Sequence, residues 1–303
     1  MQIFARILII TAALLLANTS LAQAGDANSA DDAEQLKIAA LEALMTAPSE
    51  RALPIVAKVI AGNYSDEVKS RALFVLSQID EPESRAILLD AASTGSGDFR
   101  LQAIRMIGIS GDPETMGGLS ELYKTGDEDV RDSVLQAYLI ADDSEGVFNI
   151  AANAATDEEF ESAVHILGAM GATEQLAKLR GYEGNSESLI HAYAIAGDYE
   201  SLRVLALDTS KPEQQMQAIH GLGITGGDES NATLLEIYHG TDNADVRQAA
   251  LHGMMVADYD QGVLEIYKSS NDTDEKRELL RMLVIMDSDA ALDIIDATFS
   301  GDR

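Results

Sequence analysis

The chain has 303 residues, and its 51 acidic side chains against 21 basic ones give a formal net charge of −30. It has no cysteine, which excludes disulfides and thiolate metal sites. A field of this sign repels nucleic acid and anionic membrane surfaces, so the composition favours a soluble protein with neutral or basic partners. The simpler alternative is that the acidic residues only solvate loops and cap helices.

A secretory signal peptide is predicted for residues 1–24. Arg6 is the only charged side chain of this segment, residues 7–17 are almost continuously apolar, and Ala22-Gln23-Ala24 supplies a small-x-small cleavage pattern. The apolar run is shorter than the about 20 residues that a membrane-spanning helix needs. We therefore expect a periplasmic or secreted protein without an integral membrane segment after signal removal, beginning with a disordered linker over residues 25–33.

A faint repeat of about thirty residues fills the remainder of the chain, residues 34–303. Apolar residues stand seven and four positions before each turn, on one face of a helix, and alanine is frequent eight positions before it. A second amphipathic run follows each turn, so each repeat is predicted to be a helix, a turn and a helix. Such a period is typical of an all-α solenoid. The turn positions taken as equivalent are Pro48, Asp80, Gly111, Asp142, Gly171, Gly197, Gly226, Asp258 and Asp287.

Helix starts are predicted thirteen residues before the turns, where an acidic side chain recurs. An aspartate at the N-cap accepts hydrogen bonds from the free N–H groups of the first helical turn. The predicted caps are Asp98, Asp129, Asp245 and Asp274.

Residues 99–114, with the sequence FRLQAIRMIGISGDPE, resemble a HEAT repeat of the phycobilin-lyase-like subclass. The Val-Arg pair of that family recurs as Val130-Arg131 and Val246-Arg247. The resemblance implies a right-handed α-solenoid of about nine HEAT-like helix-turn-helix repeats, whose second helices line a concave face, and it mostly implies protein binding. The repeat spacing shortens after Gly171, which predicts an irregular stretch over residues 172–210.

Two columns of the repeat are candidate binding surfaces. Six residues before the turn, four histidines occupy one position in consecutive repeats, and an aliphatic residue follows four positions later on the same helix face. This pattern suits either tight helix packing with histidines at the edge or an interaction face whose charge changes between pH 5 and 8. The candidate residues of this face are His165, His191, His220, His252, Ile195 and Ile224.

The second column lies on the second helices and is polar. A basic pair at its irregular centre is flanked by acidic residues, which suits a partner that carries basic segments; the alternative is an ordinary solvated face. The candidate residues are Lys178, Arg203, Glu121, Glu236 and Glu265.

Enzymatic and metal-dependent readings find little support in the sequence. The chain has no Gly-rich phosphate loop, no GxSxG elbow and no HExxH motif. Deoxyhypusine hydroxylase, an enzyme family built on similar repeats, carries His-Glu pairs that bind two irons, whereas no histidine here is followed by Glu. Calcium ligation at residues 127–129 or 272–275 lacks the spacing of an EF-hand loop. We predict no catalysis, no cofactor and no metal.

The function predicted from the sequence is that of a non-enzymatic, periplasmic protein-binding scaffold or adaptor. Two alternatives stay open at this point. The first is an accessory or inhibitory subunit of an envelope enzyme, and the second is a metal-dependent protein that uses the histidine column.

Overall fold

The structure is a computed structural model that describes residues 28–180 and 186–300, so the predicted signal peptide lies outside the described residues. Eighteen helices form nine consecutive pairs, and the described residues contain no strand. The first helices of the pairs are α1 (Asn28–Leu44), α3 (Asp66–Ser77), α5 (Gly97–Ser110), α7 (Glu128–Ala141), α9 (Asp157–Ala169), α11 (Ser186–Ala196), α13 (Pro212–Thr225), α15 (Ala244–Val256) and α17 (Thr273–Ile285). The second helices are α2 (Ser49–Ala61), α4 (Pro82–Thr94), α6 (Pro113–Thr125), α8 (Ser144–Ala152), α10 (Thr173–Lys178), α12 (Tyr199–Ala206), α14 (Gly227–Gly240), α16 (Asp260–Ser269) and α18 (Asp289–Ser300).

The described residues form two compact units, the first ending at Ser84 and the second beginning at Arg85. In the first unit α1 and α2 both pack on α3, and Leu73 and Leu76 of α3 are fully buried. In the second unit first helices pack on first helices, with α5 on α7, α9 on α11, α11 on α13 and α13 on α15. This repeated packing of helical pairs confirms the all-α solenoid.

Two helix boundaries bear on the predicted domain organisation. Helix α1 begins at Asn28, so residues 28–33, which the sequence assigns to the linker, are helical. In the stretch 172–210, helix α10 has 6 residues, α11 has 11 and α12 has 8, which are short for this chain.

The turn between the two helices of a repeat adopts the left-handed backbone conformation throughout the second unit. Glycine fits this conformation without a steric penalty, and aspartate tolerates it better than most residues. The turn residues with positive φ are Gly111, Asp142, Gly171, Gly197, Gly226, Asp258 and Asp287. In the first unit, Pro48 has φ −56° and precedes α2, and Asp80 does not have a positive φ. The predicted equivalence of the turns therefore holds for seven of the nine repeats.

The predicted N-caps are wrong by two positions. Asp127 caps α7 by accepting a hydrogen bond of 3.1 Å from the N–H of Val130, and Asn243 and Asp272 occupy the same place in α15 and α17. The predicted residues instead lie in the first helical turn, where a negative charge is favoured by the helix dipole.

The Val-Arg motif closes the preceding second helix. Arg247 donates from Nε to the carbonyl of Thr241 at 3.0 Å, just after α14, and Arg131 reaches the carbonyl of Gly126 just after α6. Arg100, which follows Phe99, donates in the same way to the carbonyl of Ala92 at 2.9 Å. The motif thus satisfies a carbonyl that the end of a helix leaves free.

Small residues bring neighbouring first helices into close contact. A Cβ added to Gly108 would lie 2.7 Å from the Cα of Ala137, and one added to Gly223 would lie 2.8 Å from the Cα of Gly253. In each pair the glycine stands three residues before the turn of its own repeat, and the residue that it faces stands five residues before the turn of the next repeat. Gly168 and Ala192 form a third pair of this kind. Most of the alanines that stand eight positions before a turn are also fully buried, although Ala40 is exposed.

Candidate functional site

A row of exposed aliphatic side chains follows the first helices of the second unit, one for each helix except α9, which has Ala169 at this place. Each member stands two residues before a turn, and between 41% and 46% of its surface is exposed except at α17, where the figure is 74%. We call this set the aliphatic row: Ile109, Ile140, Ile195, Ile224, Val256 and Ile285. Exposed aliphatic residues are unremarkable singly, but a regular series on one helix face marks a contact surface.

The same part of each first helix is free of acidic residues. From the residue seven before the turn to the end of the helix, none of α5, α7, α9, α11, α13, α15 and α17 contains Asp or Glu. The helix dipole disfavours acidic residues only in the last turn, whereas this stretch covers almost two turns. The second helices, in contrast, carry Glu121, Glu236 and Glu265 in their second halves. In a chain of charge −30, these helix halves thus form an acid-free strip that ends at the turns, where Asp142, Asp258 and Asp287 stand.

The histidine column lies beside this row on the solvent side. His165, His191, His220 and His252 are all exposed. The rings of His220 and His252 stack with their centroids 5.9 Å apart and an interplanar angle of 8°. These two rings are therefore closer than the spacing of about 8–10 Å between packed helix axes.

The stacked histidines stand at one side of a cleft of about 820 Å³ between α13 and α15. Its lining is mostly uncharged and includes Gln215, Met216 and Val246, with Asp245 as the one carboxylate. Across residues 28–180 and 186–300, no three His, Asp or Glu side chains are grouped so as to hold a metal ion. The arrangement suits polar contacts with a partner.

The charged column on the second helices forms ion pairs within the protein. Lys178 lies 3.2 Å from Glu174 and 3.8 Å from Glu145, and Arg203 lies 4.0 Å from Glu236. Glu121 pairs with Lys124 at 4.0 Å, and Glu265 is exposed. The basic pair at the centre of the column is thus already matched by carboxylates, although such exposed pairs contribute little to stability.

A groove separates the second helices α6 and α8. It has a volume of about 930 Å³ and is closed on one side by the end of α7 and the start of α9. Its floor contains Met116, Gly117, Tyr123, Tyr138 and Gly146. The charged residues of its rim are Lys124, Asp142, Asp143, Glu145 and Glu159.

Both tyrosines of this groove are more than nine-tenths buried, with 7% of Tyr123 and 3% of Tyr138 exposed. Burial raises the pKa of each phenol to about 12, and the charge of Glu159 acts in the same direction on Tyr123 as that of Asp143 does on Tyr138. The phenols are therefore neutral at ordinary pH. Neither hydroxyl has a hydrogen-bond partner among the described residues, which leaves both able to bind a ligand.

Sequence reasoning missed this groove, although Gly117 is a visible signal. Gly117 and Gly118 stand in the middle of α6, where glycine costs about 0.5–1 kcal/mol relative to alanine. Gly118 has a packing reason, because a Cβ there would lie 2.6 Å from Leu89. A Cβ on Gly117 would meet no heavy atom within 4 Å, so packing inside the protein does not account for it.

No helix in the described part of the chain is both long enough and apolar enough to cross a bilayer. The family model of HEAT repeats matches residues 56–139. The matched stretch contains residues 99–114, whose resemblance to a HEAT repeat the sequence predicts. The finer assignment to the phycobilin-lyase-like subclass stays a prediction.

Two solved structures are similar to this chain at low identity. One is the complex of CpcE and CpcF of phycocyanin lyase from Nostoc sp., with 16% identity, a TM-score of 0.32 and coverage of 81% of this chain and 92% of the other. The second is human deoxyhypusine hydroxylase in complex with glycerol, with 18% identity, a TM-score of 0.34 and coverage of 88% and 91%. No curated protein matches this chain. These likenesses say nothing of activity.

Proposed function

We propose that this protein is a non-catalytic scaffold that binds another protein through the aliphatic row on its first helices. The observation that carries the proposal is the regularity of that row, which continues from Ile109 to Ile285 while the adjoining helix halves lack acidic residues. A folded protein gains little by keeping such side chains in water. A partner that covers them gains about 25 cal/mol for each Å² of apolar surface buried.

The partner expected on this face is a protein with an apolar strip of its own. The only formal charges in the seven acid-free helix halves are Arg105 and Arg281, and the histidines add positive charge when they are protonated. A neutral or mildly acidic rim on the partner therefore suits this face. The location, periplasmic or secreted, is part of the proposal and rests on the sequence of residues 1–24.

The test compares three proteins as baits in an extract of the cell envelope. The first is the wild type, and the second carries Ile195→Asp and Ile224→Asp, which place charge in the middle of the aliphatic row. The control carries Val204→Asp and Leu207→Asp, two exposed aliphatic residues at α12, outside the row. Quantitative mass spectrometry of the captured proteins is the measurement.

We expect a partner that the wild type and the control retain and that the row variant loses by at least about tenfold, provided all three proteins melt at similar temperatures. An identical set of captured proteins for all three baits would reject the aliphatic row as the binding face.

A further inference from the structure

The groove between α6 and α8 is a second surface, built from residues that the aliphatic row does not use. We propose that it binds an extended peptide segment carrying a lysine or arginine side chain. This goes beyond the scaffold function proposed above, because the groove is lined by α6, α8, the end of α7 and the start of α9 and contains no residue of the aliphatic row.

The dimensions of the groove fit a short extended segment. Along α6 its lining extends from Pro113 to Lys124, eleven residues apart, or about 16 Å at 1.5 Å per residue. An extended chain advances about 3.3 Å per residue, so this length holds about five residues. Gly117 faces the groove without a side chain, and a Cβ there would meet no heavy atom within 4 Å, so the groove has room for the backbone of such a segment at this point.

Charge decides which side chain the groove prefers. Four carboxylates and one lysine stand on its rim. The backbone N–H of Asp142 donates to Leu139, but its carboxylate has no hydrogen bond or ion pair among the described residues, so its charge is free for a ligand. Glu159 accepts a hydrogen bond of 2.9 Å from the N–H of Ala155 with one of its two oxygens, and Glu145 is partly matched by Lys178 at 3.8 Å. The rim is therefore negative after its internal pairs are counted.

The floor of the groove suits the rest of a long basic side chain. A lysine or arginine stem packs on apolar surface while its head reaches a charged rim, and the exposed lining residues Pro113 and Ala155 offer such a surface. The free phenol hydroxyls and the side chain of Asn149 can bind the polar backbone of the peptide.

Gly117 offers a direct way to close the groove. Gly117→Leu places a side chain in the open space above α6, touches nothing in the protein at its Cβ and improves helix propensity. The matched control is Gly240→Leu at the end of α14, where an added Cβ also meets no heavy atom within 4 Å.

The probe is a set of fluorescent heptapeptides built from Ala and Ser. Each peptide carries two lysines, and the set covers every pair of positions that the two lysines can occupy. A counterpart of each peptide has norleucine in place of lysine. Binding to the purified protein is measured by fluorescence polarisation. We expect at least one lysine peptide to bind at least about tenfold more tightly than its norleucine counterpart. We expect Gly117→Leu to abolish this binding and Gly240→Leu to leave it unchanged.

A second variant tests the charge without filling space. Asp142→Asn keeps a residue that tolerates the left-handed conformation, and Glu159→Gln keeps an acceptor for the Ala155 N–H. The double variant should weaken the lysine peptide about tenfold and should leave the norleucine peptide unaffected.

Three results would each overturn the proposal: equal binding of lysine and norleucine peptides, full binding by Gly117→Leu, or free spermidine competing as well as the unlabelled peptide itself. Spermidine carries the same kind of charge without a peptide backbone, so its success would identify a small-amine site. The Ile195→Asp and Ile224→Asp variant should bind the peptide like wild type, so failure of the scaffold proposal and failure of this one are separate outcomes.

Discussion

The first helices of residues 85–303 pack far more closely than the second helices α6 and α8 do. Gly223 and Gly253 let two first helices approach until their backbones nearly touch, whereas α6 and α8 leave a groove of about 930 Å³. Both arrangements are made from the same repeat. The comparison teaches that the spacing of helices is set by the size of individual contact residues, and that a glycine can serve close packing in one layer and open space in the other.

The largest effect on stability is expected from a larger side chain at the point where two first helices are in contact. Gly223→Val would place a side chain against the backbone of Gly253, which cannot move aside as a flexible side chain does. We expect a loss of about 3 kcal/mol in the free energy of unfolding, measured by urea denaturation. Gly240→Val, in open space, is the control. Equal stability of the two variants would show that the first helices are not in close contact at Gly223.

A smaller effect is expected where a first helix holds a short second helix. The hydroxyl of Tyr193 on α11 donates to the carbonyl of Leu176 on α10 at 3.2 Å, and the side chain is fully buried. Burial raises the pKa of this phenol to about 12, so it stays a donor at ordinary pH. Tyr193→Phe should cost about 1 kcal/mol, because the six-residue α10 loses this bond to α11 while its Leu176 carbonyl keeps only the bond from the N–H of Leu179.

The measurement for Tyr193→Phe is the shift in urea midpoint. Tyr259→Phe serves as its control, since the Tyr259 hydroxyl has no hydrogen bond among the described residues. A midpoint that moves equally in both variants would show that the bond to α10 contributes nothing specific.

The smallest expected effect has the opposite sign. Gly117→Ala adds a methyl group that meets no other atom and restricts the unfolded chain, so we expect a gain of about 0.5–1 kcal/mol. Gly118→Ala makes the same change one residue later, where the methyl group meets Leu89 at 2.6 Å, and it should gain less or lose stability. Thermal melting of the two variants compares them. If Gly118→Ala proved the more stable, the groove would not be open above Gly117.

Much of the fold could be predicted from single residues, because the turn of each repeat makes a strong demand on the backbone. Gly111, Asp142 and Gly197 are recognisable in the sequence as residues that accept positive φ, and the structure confirms that conformation at all three. The apolar residues seven and four before each turn are almost all buried, as Ile104 and Ile107 show. Because the same local requirement recurs in each repeat, the sequence shows it several times and it is easy to recognise.

The N-caps and the contacts between repeats could not be predicted in the same way. Asp127 and Asp129 are equally good caps by composition, and only the helix start, at Glu128, decides between them. The ion pair of Lys178 with Glu145 joins different repeats, and its existence depends on how far apart their second helices lie. The number of residues between two repeats does not determine the distance between their second helices.

The aliphatic row could be predicted in part. The sequence predicts the position of Ile195 and Ile224 on one helix face, and the structure shows that both are exposed. Whether a partner covers them stays a prediction, as it does for the histidine column and for the charged column.

The absence of tryptophan gives the groove an optical signal of its own. The chain contains nine tyrosines and no tryptophan, so tyrosine emission is not masked by energy transfer to an indole ring. Two of those nine, Tyr123 and Tyr138, line the groove with hydroxyls that have no partner among the described residues. Occupancy of the groove should therefore change the intrinsic fluorescence of the unlabelled protein, and the Tyr123→Phe and Tyr138→Phe variants should each remove part of that change.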